Sequence, residues 1–251
     1  MDYPILEFDP TQPAIIEPSQ ILKPLDTMPE RCVLCFFQPV IAAVCEGAEV
    51  ITRLHSEMGY NPVYALHVGE ERIAVVHPGV GAPLSVGYME ELIALGVRKF
   101  IACGGAGVLN REIALGHIIV PDAAIRDEGT SYHYLPPSRD VHASPAAITA
   151  IIDTLDAHDV AYIVGKTWTT DGFYRETPAK IISRKTEGCI TVEMEASAFF
   201  AVAQFRGVTF GQMLYGGDDI SGDAWDHRDW HQQADTREKL FWLAAEAVGR
   251  L

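Results

Sequence analysis

The hydrophobic positions of the chain fall into short apolar runs separated by segments with helical character. The apolar runs predict buried strands at 32–37, 63–68, 72–77, 99–103, 117–121, 160–170, 189–192 and 208–217. Periodicity, with proline near the start and glycine at the end of one segment, predicts helices at 41–58, 83–96, 144–158 and 240–251, and one more after residue 192. Strands that alternate with helices indicate an α/β fold: a single domain whose twisted, mixed, mostly parallel central sheet is flanked by helices on both faces.

The first thirty residues differ from the rest of the chain. They contain six prolines and show little periodicity. Proline fixes φ and lacks the backbone N–H group, so such a segment disfavours regular secondary structure. We predict that residues 1–30 form an extended arm, lying on the surface or on a neighbouring subunit, and that residues 31–251 form the α/β domain.

Composition and charge narrow the classes of function. Hydrophobic residues make up 48% of the chain and charged residues 21%, which is typical of a soluble enzyme. The formal net charge is −15 at pH 7, and so acidic a surface argues against nucleic acid and anionic membranes as partners. The N-terminal segment MDYPILEFDP has no secretory pattern, and no apolar run reaches the length of a membrane span. We therefore expect a cytoplasmic protein.

Cysteine usage agrees with that compartment. The five cysteines are Cys32, Cys35, Cys45, Cys103 and Cys189, and most lie in apolar segments. The first two have CxxC spacing, but they lie in a predicted strand, and no second CxxC or histidine pair follows. We interpret the cysteines as reduced core residues rather than as a redox pair or a metal site.

Two glycine-rich segments follow predicted strands, PGVGAP at 78–83 and GGAG at 104–107. Neither has the context of a dinucleotide-binding GxGxxG motif, and neither contains the Gly-Lys-Ser/Thr of a P-loop. They are either tight strand-to-helix connections or places where the backbone approaches an anion or a sugar. In α/β sheets, ligands bind beyond the carboxyl ends of the strands, which is where both segments lie.

Two further motifs carry candidate chemistry. VEMEASAFF at 192–200 places Glu193 and Glu195 at the head of an apolar helix, and buried carboxylates need partners. TTDGFYRETP at 169–178 sets Phe173 and Tyr174 after Asp171. The aromatic pair predicts either packed rings beside a helix cap or a flat wall for a heterocyclic base.

An acidic segment, YGGDDISGDAWDHRDW, spans 215–230. A metal site is conceivable there, but the spacing matches neither an EF-hand loop nor a zinc pattern. We favour a solvated loop for Asp223, Asp226 and Asp229. Asp218 differs because it sits at the end of a buried strand, where a carboxyl group is suited to proton donation.

Together, VEMEASAFF, TTDGFY, PGVGAP, CGGAGVL and a strand ending in Gly-Asp resemble the nucleoside phosphorylase family, as does AAIRDEGTSYHY at 123–134. This family includes small-subunit purine nucleoside phosphorylases, uridine phosphorylases and methylthioadenosine nucleosidases. The resemblance covers roughly residues 31–250, in the same order and at the family's spacing. It implies cleavage of a ribosyl N-glycosidic bond by a pentosyltransferase acting in nucleoside metabolism and purine salvage.

The resemblance also implies roles for individual residues. Glu195 would accept hydrogen bonds from the ribose 2′- and 3′-hydroxyls, Met194 would pack under the sugar, and Glu193 would lie near base and sugar. Phe173 would stack on the base, and Asp218 would protonate the leaving purine at N7. These roles suit the chemistry, because bond cleavage builds positive charge on the sugar and negative charge on the base.

The family's phosphate ligands are replaced in this chain. Its Gly-Asp-Pro-x-Arg loop corresponds here to 37–41, FQPVI, and its arginine and Ser/Thr near the central glycine segment correspond to Ala102 and Gly105. The loss removes a bidentate anion clamp. The remaining candidates for binding phosphate are the backbone at Gly81, Gly104 and Gly105, and the side chains of Arg126, Arg175 and His77.

The pair that reads uracil in uridine phosphorylases is also missing, because Thr177 and Ala179 occupy those positions. Asp218 therefore favours a purine. Three functions stay open: a nucleoside phosphorylase that uses phosphate as co-substrate, a nucleosidase that uses water, and a nucleoside-binding protein without catalysis. We predict the first, with no metal or organic cofactor, and a homodimer or hexamer as the family's assembly implies.

Overall fold

The structure is a computed structural model that describes residues 3–251, so the first two residues of the predicted arm lie outside the described residues. The strands are β1 Arg31–Cys35, β2 Val50–Ser56, β3 Gly59–Val68, β4 Glu71–Val76, β5 Lys99–Val108, β6 Ile118–Asp127, β7 Asp140–His142, β8 Tyr162–Thr170, β9 Cys189–Glu193 and β10 Thr209–Asp219. The helices are α1 Pro18–Ile21, α2 Gln38–Val44, α3 Ala82–Leu95, α4 Pro145–Ala157, α5 Pro178–Thr186, α6 Ala196–Arg206 and α7 Ala234–Gly249.

The strands form one mixed, ten-stranded sheet. Its order is β10-β6-β8-β9-β5-β1-β4-β3-β2, with β7 paired to β6. Strand β5 also pairs with β10, so β5, β10, β6, β8 and β9 close into a ring from which the remaining strands extend. Parallel pairs join β1 to β4 and β5, β5 to β10, and β8 to β6 and β9, whereas β2, β3 and β7 pair antiparallel.

Two large apolar clusters cover the sheet. One contains buried residues of α3 and α6, including Met89, Leu92, Phe199 and Phe200. The other contains buried residues of α2, α4 and α7, including Ile41, Ile151 and Phe241. Helices therefore pack in two layers against a sheet of strands buried on both faces, and the predicted α/β class is confirmed.

The predicted helix at 41–58 is wrong in its second half. Helix α2 ends at Val44, Gly47 adopts a φ of +73°, and 50–56 form strand β2. The β-branched residues of VITRLHS favour a strand, and pairing with β3 outweighs the apolar helical spacing that continued through the segment.

The second glycine-rich segment, 104–107, also differs from its prediction as a loop. It continues β5, which runs to Val108 and pairs with β10. A β-carbon added at Gly104 would lie 3.1 Å from the Phe36 ring, and one at Gly105 would lie 3.1 Å from the Tyr215 ring. These glycines therefore allow aromatic rings to pack directly against the strand.

The arm runs along the surface, and one of its attachments is a buried cluster of charges. Glu17, which is 8% exposed, lies 3.0 Å from Nη2 of Arg206, at the end of α6. Arg206 also makes a bidentate pair with Glu90 of α3, with Nε to Oε2 at 2.8 Å. Charge pairing thus joins the arm to the two helices of one layer.

Two further expectations concern the thiols and the helices. All five cysteines are free and buried, as predicted for core residues. Within residues 3–251, no helix combines the length and the hydropathy needed to cross a lipid bilayer.

Candidate active site

The candidate site lies where β5, β9 and β10 end. Strand β9 places Val192 opposite Gly107 of β5. Strand β10 runs parallel to β5, with Gly216 opposite Ala106 and, beyond an irregularity in the register, Asp219 opposite Val108. A β-carbon added at Gly107 would lie 3.1 Å from Cγ1 of Val192 and 3.6 Å from Oδ1 of Asp218. The bare backbone at Gly107 therefore lets the end of β10 approach the end of β9.

Glu193 is held at the end of β9 by three hydrogen bonds. Its Oε1 accepts from Oγ1 of Thr169 at 2.6 Å, and its Oε2 accepts from the backbone N–H groups of Glu195 and Ala196 at 2.7 and 2.6 Å. N–H groups at the start of a helix have no intrahelical partner, so this carboxylate caps α6. Burial raises the pKa of Glu193, and these hydrogen bonds oppose the rise.

Glu195 is the residue immediately before α6 and faces the first glycine-rich segment. Its Oε1 accepts from the backbone N–H of Gly81 at 2.6 Å. Gly81 has a φ of +87°, a conformation that favours glycine. Burial raises the pKa of Glu195, and the negative charge of Glu193 raises it further. A buried carboxyl group with a raised pKa is a functional candidate, and the half-buried Met194 lies beside it in the chain.

A third buried acid, Glu128, lies near Glu193 and was not singled out in the sequence. Glu128 is 5% exposed and accepts from Oγ of Ser197 and the backbone N–H of Ser131, both at 2.9 Å. Its negative charge contributes to the raised pKa of Glu193. Glu128 lies within the quoted segment 123–134, but its partner Ser197 is 69 residues away, so no local pattern could have linked them.

Asp218 carries a second group of contacts beside Gly107. Its Oδ2 accepts a hydrogen bond from Nε1 of Trp225 at 2.7 Å. Glu176, also missed in the sequence, is half-buried after the 3₁₀ turn Phe173–Arg175. Burial, and then the charge of Asp218, raises the pKa of Glu176 to about 7. Near neutral pH its carboxyl group can therefore either donate or accept a hydrogen bond.

The predicted aromatic wall lies on an exposed turn. Phe173 and Tyr174 are 49% and 88% exposed, and their ring centroids are 4.1 Å apart. Just before them, Oδ2 of Asp171 accepts from the backbone N–H of Gly129 at 2.9 Å. The exposed Phe173 ring is open to stacking, and its role with a base stays a prediction.

Arg126, one of the candidate phosphate ligands, is 4% exposed and already engaged. Its Nε donates to Oγ of Ser131 at 2.9 Å, and its Nη1 donates to the Pro136 carbonyl and Oγ of Ser138, both at 2.7 Å. The guanidinium also lies 4.3 Å from the Tyr132 ring centroid. These contacts order the segment 131–138 and occupy the donors that an anion would need.

His77 directly follows β4 and precedes the first glycine-rich segment. Its Nδ1 accepts from the backbone N–H of Gly79 at 3.0 Å. Burial lowers the pKa of His77. A neutral ring whose Nδ1 is an acceptor carries its proton on Nε2, so His77 offers one neutral donor.

The structure thus brings Glu193 and Glu195 together at the head of α6 and sets Asp218 across Gly107 from β9. It places Gly81 against Glu195, and it places Arg126 in a separate network. The assigned roles in binding sugar, base and phosphate stay predictions.

Comparison with known proteins places this geometry in context. The family described as the phosphorylase superfamily matches residues 30–247. A guanosine phosphorylase from Halorubrum lacusprofundi is 28% identical over 171 residues, covering 68% of this chain and 69% of that protein. In such alignments the chain spans 61 to 69% of the length of the curated relatives it matches.

Solved structures extend the likeness over most of the chain. A uridine phosphorylase from Vibrio fischeri superposes with a TM-score of 0.74 at 23% identity, covering 95% of this chain and 98% of that one. An AMP nucleosidase from Bacteroides thetaiotaomicron superposes with a TM-score of 0.70 at 22% identity, covering 88% of each chain. At these identities the superpositions establish the fold.

Proposed function

Because the chain belongs to the phosphorylase superfamily, we propose that it cleaves the ribosyl N-glycosidic bond of a nucleoside, with phosphate as the acceptor. The products would be a free base and ribose-1-phosphate. The observation that carries the proposal is the pair Glu193 and Glu195, buried at the head of α6 and separated from Asp218 by the bare backbone of Gly107.

The arrangement suits the charges that develop during cleavage. As the bond from ribose C1′ to the base nitrogen breaks, the sugar becomes positive and the base takes the electron pair. The buried carboxyl group of Glu195, positioned by Glu193, stabilises the sugar cation through fixed electrostatics, because the developing positive charge favours its ionised form. Asp218 supplies a proton to the departing base, a step worth ~10²–10⁴ in rate.

We infer a purine as the preferred base. A purine can accept a proton at N7, which gives Asp218 a function, whereas the Gln and Arg that read uracil in uridine phosphorylases are replaced by Thr177 and Ala179. The relatives include both a guanosine phosphorylase and uridine phosphorylases, so this proposal rests on Asp218 and on the replaced uracil ligands. Phe173 would stack on the base from the exposed turn that follows β8.

Phosphate as acceptor rests on the relatives, several of which are named phosphorylases. In this chain the donors proposed for it are His77 Nε2–H and the exposed backbone at Gly105. Gly104 is a weaker candidate because it is buried in β5 against the Phe36 ring. Gly81 is a weaker candidate than its sequence position suggested, because its N–H already donates to Glu195.

Hydrolysis is the second candidate, and the contacts of Arg126 favour it. The guanidinium that could neutralise phosphate is committed to Ser131, Pro136 and Ser138. A phosphate dianion would also enter a site lined by several carboxylates, whereas water brings no charge. The structural likeness to an AMP nucleosidase is in keeping with this alternative.

One assay separates the candidates. The purified chain is incubated with inosine, guanosine, adenosine or uridine, each with and without phosphate, and free base, ribose and ribose-1-phosphate are quantified. Ribose-1-phosphate that forms only with phosphate is the expected result. If free ribose forms at equal rates with and without phosphate, the reaction is hydrolysis and not phosphorolysis. Saturable nucleoside binding without turnover would establish a binding protein instead.

A further inference from the structure

The loop that follows β10 presents three potential metal ligands on one side. His227, Asp229 and His231 alternate with Arg228, whose guanidinium contacts the body of the protein, and with Trp230, whose backbone carbonyl does so. One ring nitrogen of each histidine and one carboxylate oxygen of Asp229 all lie within 4.8 Å of one another. Nδ1 of His227 is 3.6 Å from Oδ1 of Asp229, and the two imidazole centroids are 4.9 Å apart.

The intervening residues fix this arrangement. Nη2 of Arg228 lies 2.7 Å from Oδ2 of Asp219, which is 3% exposed, and Nη1 donates to the Ile113 carbonyl at 2.8 Å. The carbonyl of Trp230 accepts from the hydroxyl of Tyr215 at 3.0 Å. Because the residues between the three ligands are anchored, the backbone holds the ligands near one another, and rotation of their side chains sets the final distances.

The backbone of this turn adopts an unfavourable conformation. Arg228 and Asp229 have φ values of +48° and +46°, in the left-handed region that non-glycine residues rarely occupy. Such strain persists only where the surroundings enforce it, and it concentrates at functional sites. Here it is what allows Asp229 to face both histidines.

We propose that His227, Asp229 and His231 bind a divalent transition-metal ion of the zinc class. Two imidazoles and one carboxylate suit zinc and its neighbours, whereas magnesium and calcium prefer oxygen ligands throughout. Zinc bonds of about 2.0–2.2 Å put tetrahedral ligands roughly 3.3 Å apart. Rotation of these largely exposed side chains closes the remaining gap and leaves a fourth position for water or another ligand.

The site is coupled to the candidate active site through Trp225. The ring of Trp225 lies edge-on to the His227 imidazole with centroids 5.1 Å apart, and its Nε1 donates to Asp218. A bound ion would therefore restrain the side of the loop that contacts the proposed proton donor. The metal site itself does not depend on the proposed function.

The sequence-based expectation that no metal binds came from the segment 215–230, which ends one residue before His231. With that residue included, the pattern is His-x-Asp-x-His. Alternation alone would put these side chains on one side of an extended strand, but a left-handed turn brings them much closer together.

The test uses the untagged full chain, stripped with a chelator and dialysed. Zn²⁺ is titrated by calorimetry, and Co²⁺ binding is followed by its visible absorption and by quenching of tryptophan fluorescence. We expect one ion per chain. Loss of a residue that only supports a metal ligand weakens metal binding by about 10- to 100-fold. The ligand variants H227Q, D229N and H231Q should each weaken Zn²⁺ binding by at least as much. Asparagine tolerates the left-handed region, so D229N preserves the turn.

H67Q is the matched control, because His67 is an exposed histidine on β3. It should bind Zn²⁺ as the wild type does. The proposal is overturned if the wild type binds no stoichiometric ion, or if any of the three ligand variants binds with wild-type affinity. Circular dichroism of each variant establishes that a loss of binding is not a loss of folding.

Discussion

At the scale of single residues, Glu193 and Glu195 show how two acids in one motif acquire different tasks. Glu193 accepts three hydrogen bonds from the protein and so is committed to holding α6. Glu195 accepts one hydrogen bond, from Gly81, and the nearby negative charge of Glu193 raises its pKa. Glu193 therefore positions Glu195, and Glu195 is the group that we propose contacts the sugar.

The raised pKa of Glu195 leads to a prediction about stability. A carboxyl group whose pKa is higher in the folded state favours folding in its protonated form, so its contribution declines as pH rises from the unfolded value, near 4.5, through the folded one. The decline in the free energy of unfolding amounts to about 1.4 kcal/mol for each unit by which the pKa is raised, and E195Q removes it. We expect E195Q to raise Tm relative to wild type more at pH 8 than at pH 5, while turnover falls.

Thermal unfolding at the two pH values measures this effect, with E112Q as the control at an exposed glutamate. An equal change in Tm at both pH values for E195Q would show that Glu195 is not held at a raised pKa.

Asp218 gives a kinetic prediction. D218N keeps the shape of the side chain but cannot donate a carboxyl proton, so kcat for a purine nucleoside should fall by ~10²–10⁴ while KM changes little. D223N alters an exposed aspartate on the same loop and should leave kcat unchanged. Steady-state kinetics on inosine measures both variants, and a D218N enzyme with wild-type kcat would remove the general-acid role.

At the scale of elements, the end of β8 supports the start of α6 through one hydroxyl. Thr169 Oγ1 donates to Glu193 and accepts from the backbone N–H of Ser197 at 2.9 Å. Strand, strand end and helix are thereby joined at the residues that carry the candidate chemistry. A rigid junction of this kind is what a preorganised electrostatic site requires.

T169V tests that junction. Valine keeps the β-branched shape but leaves a buried N–H and a carboxylate oxygen without a partner, which should cost about 1–3 kcal/mol in the free energy of unfolding. T186V is the control, because the Thr186 hydroxyl contacts Ile182 on an exposed part of α5 and its loss should cost less than about 0.5 kcal/mol. Urea unfolding that gives equal costs would contradict a structural role for Thr169.

How far the sequence predicted the molecule depends on the range of the interactions. Apolar runs predicted most strands, and helix punctuation predicted the limits of α3 to within one residue, because these signals are local. The segment 104–107 was predicted to be a loop because of its glycines. These glycines instead make room for the rings of Phe36 and Tyr215, which lie far away in sequence. Resemblance identified Glu195 and Asp218, but Glu128 and Glu176 become visible only once distant strand ends meet.

At the scale of the whole molecule, the arm and two helices meet at a single cation. Arg206 lies between Glu17 of the arm and Glu90 of α3, and both glutamates are under 10% exposed. One guanidinium therefore balances two buried carboxylates. The isoleucines of the arm add little buried apolar area, since Ile15, Ile16 and Ile21 are largely exposed, whereas Met28 is buried in the core.

This balance predicts unequal costs for removing the partners. R206A leaves two buried carboxylates uncompensated and should destabilise the chain by about 3–5 kcal/mol. E17Q leaves the bidentate pair with Glu90 in place, so its cost should be much smaller. Urea unfolding compares them. Equal destabilisation by the two variants would show that the arm does not share the charge of Arg206 in this way.

The ring closed by β5, β10, β6, β8 and β9 has a consequence for how the chain folds. Strand β5 pairs with β1, which precedes it in the chain, and with β9 and β10, which follow it by some 80 to 110 residues. Closing such distant contacts is entropically slow, so refolding should be governed by this one late event. Strand β10, which carries Asp218, and strand β9, which precedes Glu195, join β5 only through that closure. The return of turnover during refolding would therefore report the last step and not the first collapse.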